Sequence, residues 1–340
     1  MGELCKFAEG NYCDAMAFRS PLSQLRTPRA QSRTWRIPLL ITGLVTTAAL
    51  ALSACSPADT SGTDDDRPLV LTTFTVLKDI AANVAGEHLR VESITKEGAE
   101  IHGYEPSPSD IRHAEEADLV MENGMGLEKW FEQFIDVAGT KHVVLTDGVE
   151  PIDITEDAYA GKPNPHAWMS PANTAIYVKN MVKAFSELDP DHAADFEANA
   201  EDYTAKLTEV ETKLTDTLET LPENQRALVT CEGAFSYLAR DAGLTEKYIW
   251  PVNAEHEATP QQVASTIEFV RENDVPAVFC ESTVNDKAMQ QVVDATDASF
   301  GGTLYVDSLT TSDGPVPTYL DLITHDAETI ADALTGAQGA

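Results

Sequence analysis

"PDHAADFEANAEDYTAKLTEVETKLTDTLETLP", residues 190–222, has proline at both ends and neither glycine nor proline between them. Its apolar residues Phe196, Tyr203, Leu207, Val210, Leu214 and Leu218 recur at spacings of three, four and seven, which places them on one face of an α-helix. Pro190 stands where a helix can begin and Pro222 where one must stop, so the spacing predicts a single helix over 191–221. At about 1.5 Å of rise per residue, such a helix crosses a small domain from side to side.

Strand patterns alternate with helical ones on both sides of it. Before it come the apolar runs "LVLTTF" (69–74), "VESIT" (91–95), "LVMEN" (119–123) and "HVVLT" (142–146). Between them, stretches such as "TVLKDIAANVAGE" repeat their apolar residues at helical spacing, and "SPANTAIYVKNMVKAFSEL" forms a further helix ahead of Pro190. After it come "ALVTCE" (227–232), "YIWPV" (248–252), "AVFCES" (277–282) and "TLYVDS" (303–308), again with helices between. Strand, helix, strand in succession builds a parallel sheet. The expected fold is α/β: two Rossmann-like lobes, each a roughly four-stranded parallel sheet with flanking helices, over 68–189 and 223–340. One long, rigid linker helix (190–222) joins them.

The N-terminus reads differently. Arg33 and Arg36 precede the apolar run "IPLLITGLVTTAALAL", which ends in "LSAC" at residues 52–55, the order of a secretory signal. Leu-Ser-Ala-Cys resembles a bacterial lipobox, whose cysteine is diacylated and becomes the new N-terminus. Residues 1–54 are therefore expected to be removed and Cys55 lipidated, holding the protein outside the cytoplasm on the cell membrane. The run is short for a membrane span. "SPADTSGTDDDRP" completes a flexible tether over 55–67. The lead-in before Arg33 has no periodic pattern; Met16 is a candidate start, and Cys5 and Cys13 receive no role.

The 340 residues carry 23 Lys+Arg against 56 Asp+Glu, a net charge of −33. Removing residues 1–54 takes away six basic and three acidic residues and leaves −36. A phosphate backbone would be repelled, so nucleic acid is excluded as a partner. The same surface gathers cations, and it also suits a salt-rich habitat.

In open parallel sheets, ligands bind beyond the carboxyl ends of the strands. Four metal-ligating side chains stand at such places. His102, in "EIHGYEPSPSD", follows the second strand of the first lobe, and His166, in "NPHAWMSP", follows its fourth. Glu232, in "TCEGAF", ends the first strand of the second lobe, and Asp307, in "LYVDSL", ends its fourth. Alone, each has an ordinary reading: a loop histidine is usually at the surface, and a strand-end carboxylate usually caps a helix. Together they offer two imidazoles from one lobe and two carboxylates from the other, a set for a first-row divalent metal tilted toward harder ions. The residues by themselves leave this as a metal or small-ligand site in an interlobe cleft.

The segments "HGYEPSPSD", "NPHAWMSP", "CEGAFSYLARDAGL", "YIWPVNAEHEATPQQV", "VFCESTVNDKAM" and "LYVDSLT" resemble, in order, those of the metal-binding solute-binding lipoproteins of ABC transporters, the cluster A-I family that serves manganese, zinc and iron uptake. The resemblance runs from about Leu69 to the C-terminus. It implies that His102, His166, Glu232 and Asp307 are the metal ligands and that an ABC permease with its ATPase is the partner; a monomer is expected. Zinc members typically have histidine where Glu232 stands and a His-rich loop where this chain has "GVEPIDITEDAYAGKP". Both departures favour Mn2+ as cargo, with Zn2+ or Fe2+ as alternatives. The flanking "NAEHEA" (253–258) is expected to make His256 part of an acidic lip of the cleft.

Cys231 and Cys280 each precede a glutamate at the end of neighbouring strands, and an exported protein lives where disulfides persist. A Cys231–Cys280 disulfide is expected, against two buried thiols as the alternative. No nucleophile–base pair or phosphate loop is visible, so no catalysis is expected. A secreted metallohydrolase with Glu281 as general base, and a surface adhesin, are the readings from other classes.

Overall fold

The computed structural model describes residues 65–131, 140–156, 159–252 and 258–336, without the side chain of Asn224. The signal, the lipobox with Cys55, Cys5, Cys13, Met16, the start of the tether and His256 lie outside the described residues. Residues 63–340 form one compact unit. Among the described residues, no helix is long and apolar enough to cross a membrane.

The first half contains β1 (Leu69–Thr72), α1 (Thr75–Ala85), β2 (Arg90–Ser93), α2 (Pro108–Glu116), β3 (Leu119–Glu122) and β4 (His142–Val144). Its strands form one parallel sheet in the order β2-β1-β3-β4. Alternate residues of β1 serve different layers: Val70 faces the main core, while Leu69 and Leu71 face a smaller cluster with Ile94, Ala114, Val120 and Phe131. Burial on both faces is why the strand reads as a continuous apolar run.

Two helices then lead away from this sheet. α3 (Pro171–Leu188) starts at Ser170, whose hydroxyl accepts from the Asn173 amide, with Pro171 in the first turn. α4 (Ala193–Leu218) is the linker helix, 26 residues long and preceded by one 3-10 turn at Pro190–His192. Phe196, Tyr203, Leu207, Leu214 and Leu218 of the expected stripe are buried, and Val210 is half-buried against the same core. Along the outer face, Thr208, Thr212, Thr215 and Thr217 return their hydroxyls to the carbonyls four residues back, so these helix-neutral residues are satisfied without leaving the helix.

The second half contains β5 (Ala227–Glu232), α5 (Ser236–Ala242), β6 (Thr245–Trp250), α6 (Pro260–Glu272), β7 (Ala277–Glu281), α7 (Lys287–Ala295), β8 (Ser299–Leu304) and α8 (Tyr319–Thr335). Its strands pair in parallel as β5 with β6 and β7 with β8. β5 and β7 run beside each other, with the Cα atoms of Cys231 and Cys280 4.9 Å apart. Both halves thus repeat one plan, with the first strand in sequence inside and the second outside it. α4 packs against α1 and α3 of the first half and α5 and α8 of the second.

The last strand departs from expectation. β8 covers Ser299–Leu304, not 303–308, because it runs through Gly301 and Gly302. A Cβ on Gly301 would lie 2.5 Å from Phe279 Cε1, so only glycine lets β8 approach β7 there, and Gly302 sits at φ +139 beside a register shift in the ladder. Asp307 therefore lies in the loop beyond the strand rather than at its last residue.

Candidate metal centre

Each of the four candidate ligands is held by local structure of its own. The Glu100 carboxylate accepts from the amides of His102, at 2.6 Å, and Gly103, at 3.0 Å. The Trp130 indole donates to the Ile101 carbonyl at 3.0 Å and pins the same loop from behind. His166 sits between Pro165 and a 3-10 turn, Ala167–Met169, and is fully buried. Glu232 closes β5, where the next residue must be glycine: a Cβ on Gly233 would meet the Pro251 carbonyl oxygen at 2.5 Å. Asp307 is anchored by its neighbour, since the Ser308 hydroxyl accepts from the Gly98 amide at 2.7 Å and lies 3.2 Å from the Thr75 hydroxyl.

These supports bring all four side chains together. His102 Nε2 lies 3.0 Å from His166 Nε2 and 3.5 Å from Glu232 Oε1. His166 Nε2 lies 3.8 Å from Glu232 Oε1 and 3.9 Å from Asp307 Oδ1. Ligand atoms of His102, His166 and Asp307 all fall within 4.8 Å of one another, a spacing that one ion can bridge. Asp307 Oδ1 is buried and has no hydrogen-bond partner. An orphaned carboxylate oxygen is costly unless something cationic or protic completes it.

Electrostatics point the same way. Burial lowers His102 to about 4 and pushes His166 well below its usual value, so both imidazoles are neutral and keep a lone pair to offer. Burial, reinforced by the nearby Glu232, holds Asp307 well above the ordinary carboxylate range. The group is thus short of positive charge, which a divalent ion supplies.

Glu281 is also buried and raised to about 8 by that burial, and its carboxyl oxygens accept from the Glu232 amide at 3.2 and 3.3 Å. It buttresses the backbone of a candidate ligand. Asn164, on which no sequence expectation fell, touches both halves: its Oδ1 faces the His166 amide and ring, and its Nδ2 donates to the Gly233 carbonyl. An asparagine two residues before a histidine was the available signal for it.

Residues 70–333 match the family described as "Zinc-uptake complex component A periplasmic", ZnuA. The chain is 47% identical over 311 residues to the iron-binding protein YfeA of Yersinia pestis, covering 91% of this chain and 98% of that one. It is 32% identical over 295 residues to the manganese ABC transporter substrate-binding lipoprotein PsaA of Streptococcus pneumoniae strain TIGR4, covering 84% and 96%. Among solved structures, the Mn-bound periplasmic metal binding protein from Candidatus Liberibacter asiaticus superposes with a TM-score of 0.74 at 37% identity, covering 79% of this chain and all of that one. The protein therefore belongs to the ZnuA family, the cluster A-I substrate-binding proteins of ABC transporters, which bind a metal ion for a permease and its ATPase and are not enzymes.

Proposed function

We propose that the protein captures Mn2+ outside the cytoplasm through His102, His166, Glu232 and Asp307 and hands it to its permease. The observation that carries this reading is the buried, partnerless Asp307 Oδ1 directed at two neutral imidazoles and a second carboxylate. Two imidazoles fit several first-row ions, but two carboxylates that can each bind through both oxygens exceed the four-coordination that suits zinc. The relatives named for manganese support the choice. Ferrous iron is the second reading, favoured by the 47% identical iron-binding relative and by the same ligand chemistry.

Capture exchanges the water shell of the ion for the four side chains. Release requires the set to come apart, and the contacts between halves limit how far it can. Trp168, beside His166, donates its indole hydrogen to the Val306 carbonyl, beside Asp307, at 3.1 Å, and the Leu309 amide donates to the Thr75 hydroxyl at 3.0 Å. With α4 packed along both halves, small rotations and a shift of the His102 loop open the site rather than a wide hinge. A diacylated Cys55 would keep the monomer at the membrane, and a Cys231–Cys280 disulfide, whose Cα separation fits one, would fix the strand that carries Glu232.

Competitive titration with matched Mn2+ and Zn2+, read by elemental analysis, tests the assignment. One equivalent of manganese is expected, lost in His102→Ala. Binding unchanged by that substitution would refute the site. Iron(II) outcompeting manganese under anaerobic conditions would replace the cargo but keep the ligands.

A further inference from the structure

Asn164 is 2% exposed, and both ends of its side-chain amide are fixed by groups that have only one hydrogen-bonding role. One end lies 3.0 Å from the His166 backbone nitrogen, which can only donate, so that end is the oxygen. The other lies 2.6 Å from the Gly233 carbonyl oxygen, which can only accept, so it is the nitrogen. The same Oδ1 lies 2.9 Å from His166 Nδ1. An oxygen cannot donate, so Nδ1 must carry the ring proton, and the Nε2 of the neutral ring is left with a bare lone pair. That lone pair faces His102, Glu232 and Asp307.

The other half of the amide reaches across the molecule. Nδ2 donates to the Gly233 carbonyl, in the turn that follows Glu232, and, at 3.1 Å, to the Ser236 hydroxyl, at the start of α5. The Asn164 carbonyl oxygen accepts from Tyr237, at 2.7 Å, in the helix that begins there. Gly233 cannot drift under this load, because its amide donates to the Trp250 carbonyl at 2.9 Å and a side chain at this position would strike Pro251. One residue therefore orients an imidazole from the first half and ties down the carboxylate-bearing turn of the second.

We infer that Asn164 is a positioning residue with two separable roles: it sets the Nδ1–H tautomer of His166, and it latches the Glu232 turn so that the ion is released only when the latch parts. It acts through His166 and the turn and need not touch the ion. The inference rests on His166 being a ligand, as proposed above. Loss of manganese binding in His166→Ala checks that reading separately, whatever the Asn164 variants do.

Substitutions separate the two roles. Asn164→Asp keeps an oxygen toward the His166 ring and amide but removes both donors to Gly233 and Ser236. Asn164→Ala removes every side-chain contact and leaves only the main-chain bond from Tyr237. In the full-length protein, the His166 ring is read by 15N NMR without metal, and Mn2+ release is read by chelator-driven dissociation. Asn164→Asp is expected to retain the Nδ1–H signature while releasing manganese roughly tenfold faster. Asn164→Ala is expected to lose the tautomer preference as well and to weaken manganese affinity about 10–100-fold, the range for removing the outer partner of a liganding histidine. Ser236→Ala, which leaves Asn164 in place, is expected to accelerate release with no change at the ring, and it keeps the test open if an Asn164 variant fails to fold. Wild-type release rates in Asn164→Asp and Ser236→Ala would overturn the latch. An unchanged His166 tautomer in folded Asn164→Ala would overturn the orienting role.

Discussion

His102 Nε2 stands 3.0 Å from a His166 nitrogen that carries no proton, so His102 supplies the hydrogen of that contact while the site holds no ion. That hydrogen must move to Nδ1 before an ion can bind Nε2, a change of tautomer that frees no proton. Asp307 is the group that gives up a proton: burial and the Glu232 charge favour its neutral form, and an ion favours the charged one. Metal uptake should therefore release a proton from Asp307, and affinity should rise with pH by about tenfold per unit wherever that proton is displaced. Calorimetric titration with Mn2+ in two buffers of different ionisation enthalpy measures the number, and identical heats in both would refute the expectation. The four candidate ligands were legible in the sequence because histidine and carboxylate beyond strand ends are chemically conspicuous. Asn164 and Glu100 were not, since an amide or an acid that works by receiving backbone hydrogens looks like any loop residue until the chain is folded.

The linker helix is where element-scale reading succeeded most fully. A stripe of large apolar residues bounded by two prolines specifies length, face and direction together, and the structure changes only the ends, where Pro190–His192 form a tighter 3-10 turn. Leu207 is 1% exposed on that stripe, so Leu207→Ala should destabilise the fold by about 2–5 kcal/mol in urea titrations. The same change at half-buried Val210 should cost clearly less. Equal effects at the two positions would mean that the face is misassigned. β8 was harder to place. Two adjacent glycines are poor strand formers; the close approach of Phe279 explains Gly301, and a positive φ beside Thr329 explains Gly302. A constraint imposed by a neighbour 22 residues away leaves no local trace.

Across the whole molecule, buried acids should govern how stability responds to pH. Burial raises Asp79 to about 6, Glu128 and Glu246 to about 7 and Glu281 to about 8. In the unfolded chain these groups lose their protons near pH 4. Between that pH and their raised values the folded state binds more protons, so the stability they contribute in acid is lost as pH rises through about 6 to 8. His102 and His166 act oppositely, because burial lowers them, but their effect is complete once pH passes the usual histidine value near 6.5. The metal-free protein should therefore melt at a lower temperature at pH 8 than at pH 6.5, as thermal scans would show, and a rise over that interval would refute the assignment. A different consequence follows from the main apolar core, which runs without a break from Val70 through Leu207 to Leu334. Neither sheet owns a complete interior. Cutting the chain at residue 190 would leave the first fragment with the seat of the helix exposed and the second with the bare helix face that had covered it, and heating the intact protein should give one calorimetric endotherm instead of two. The two halves should thus melt as a single cooperative body.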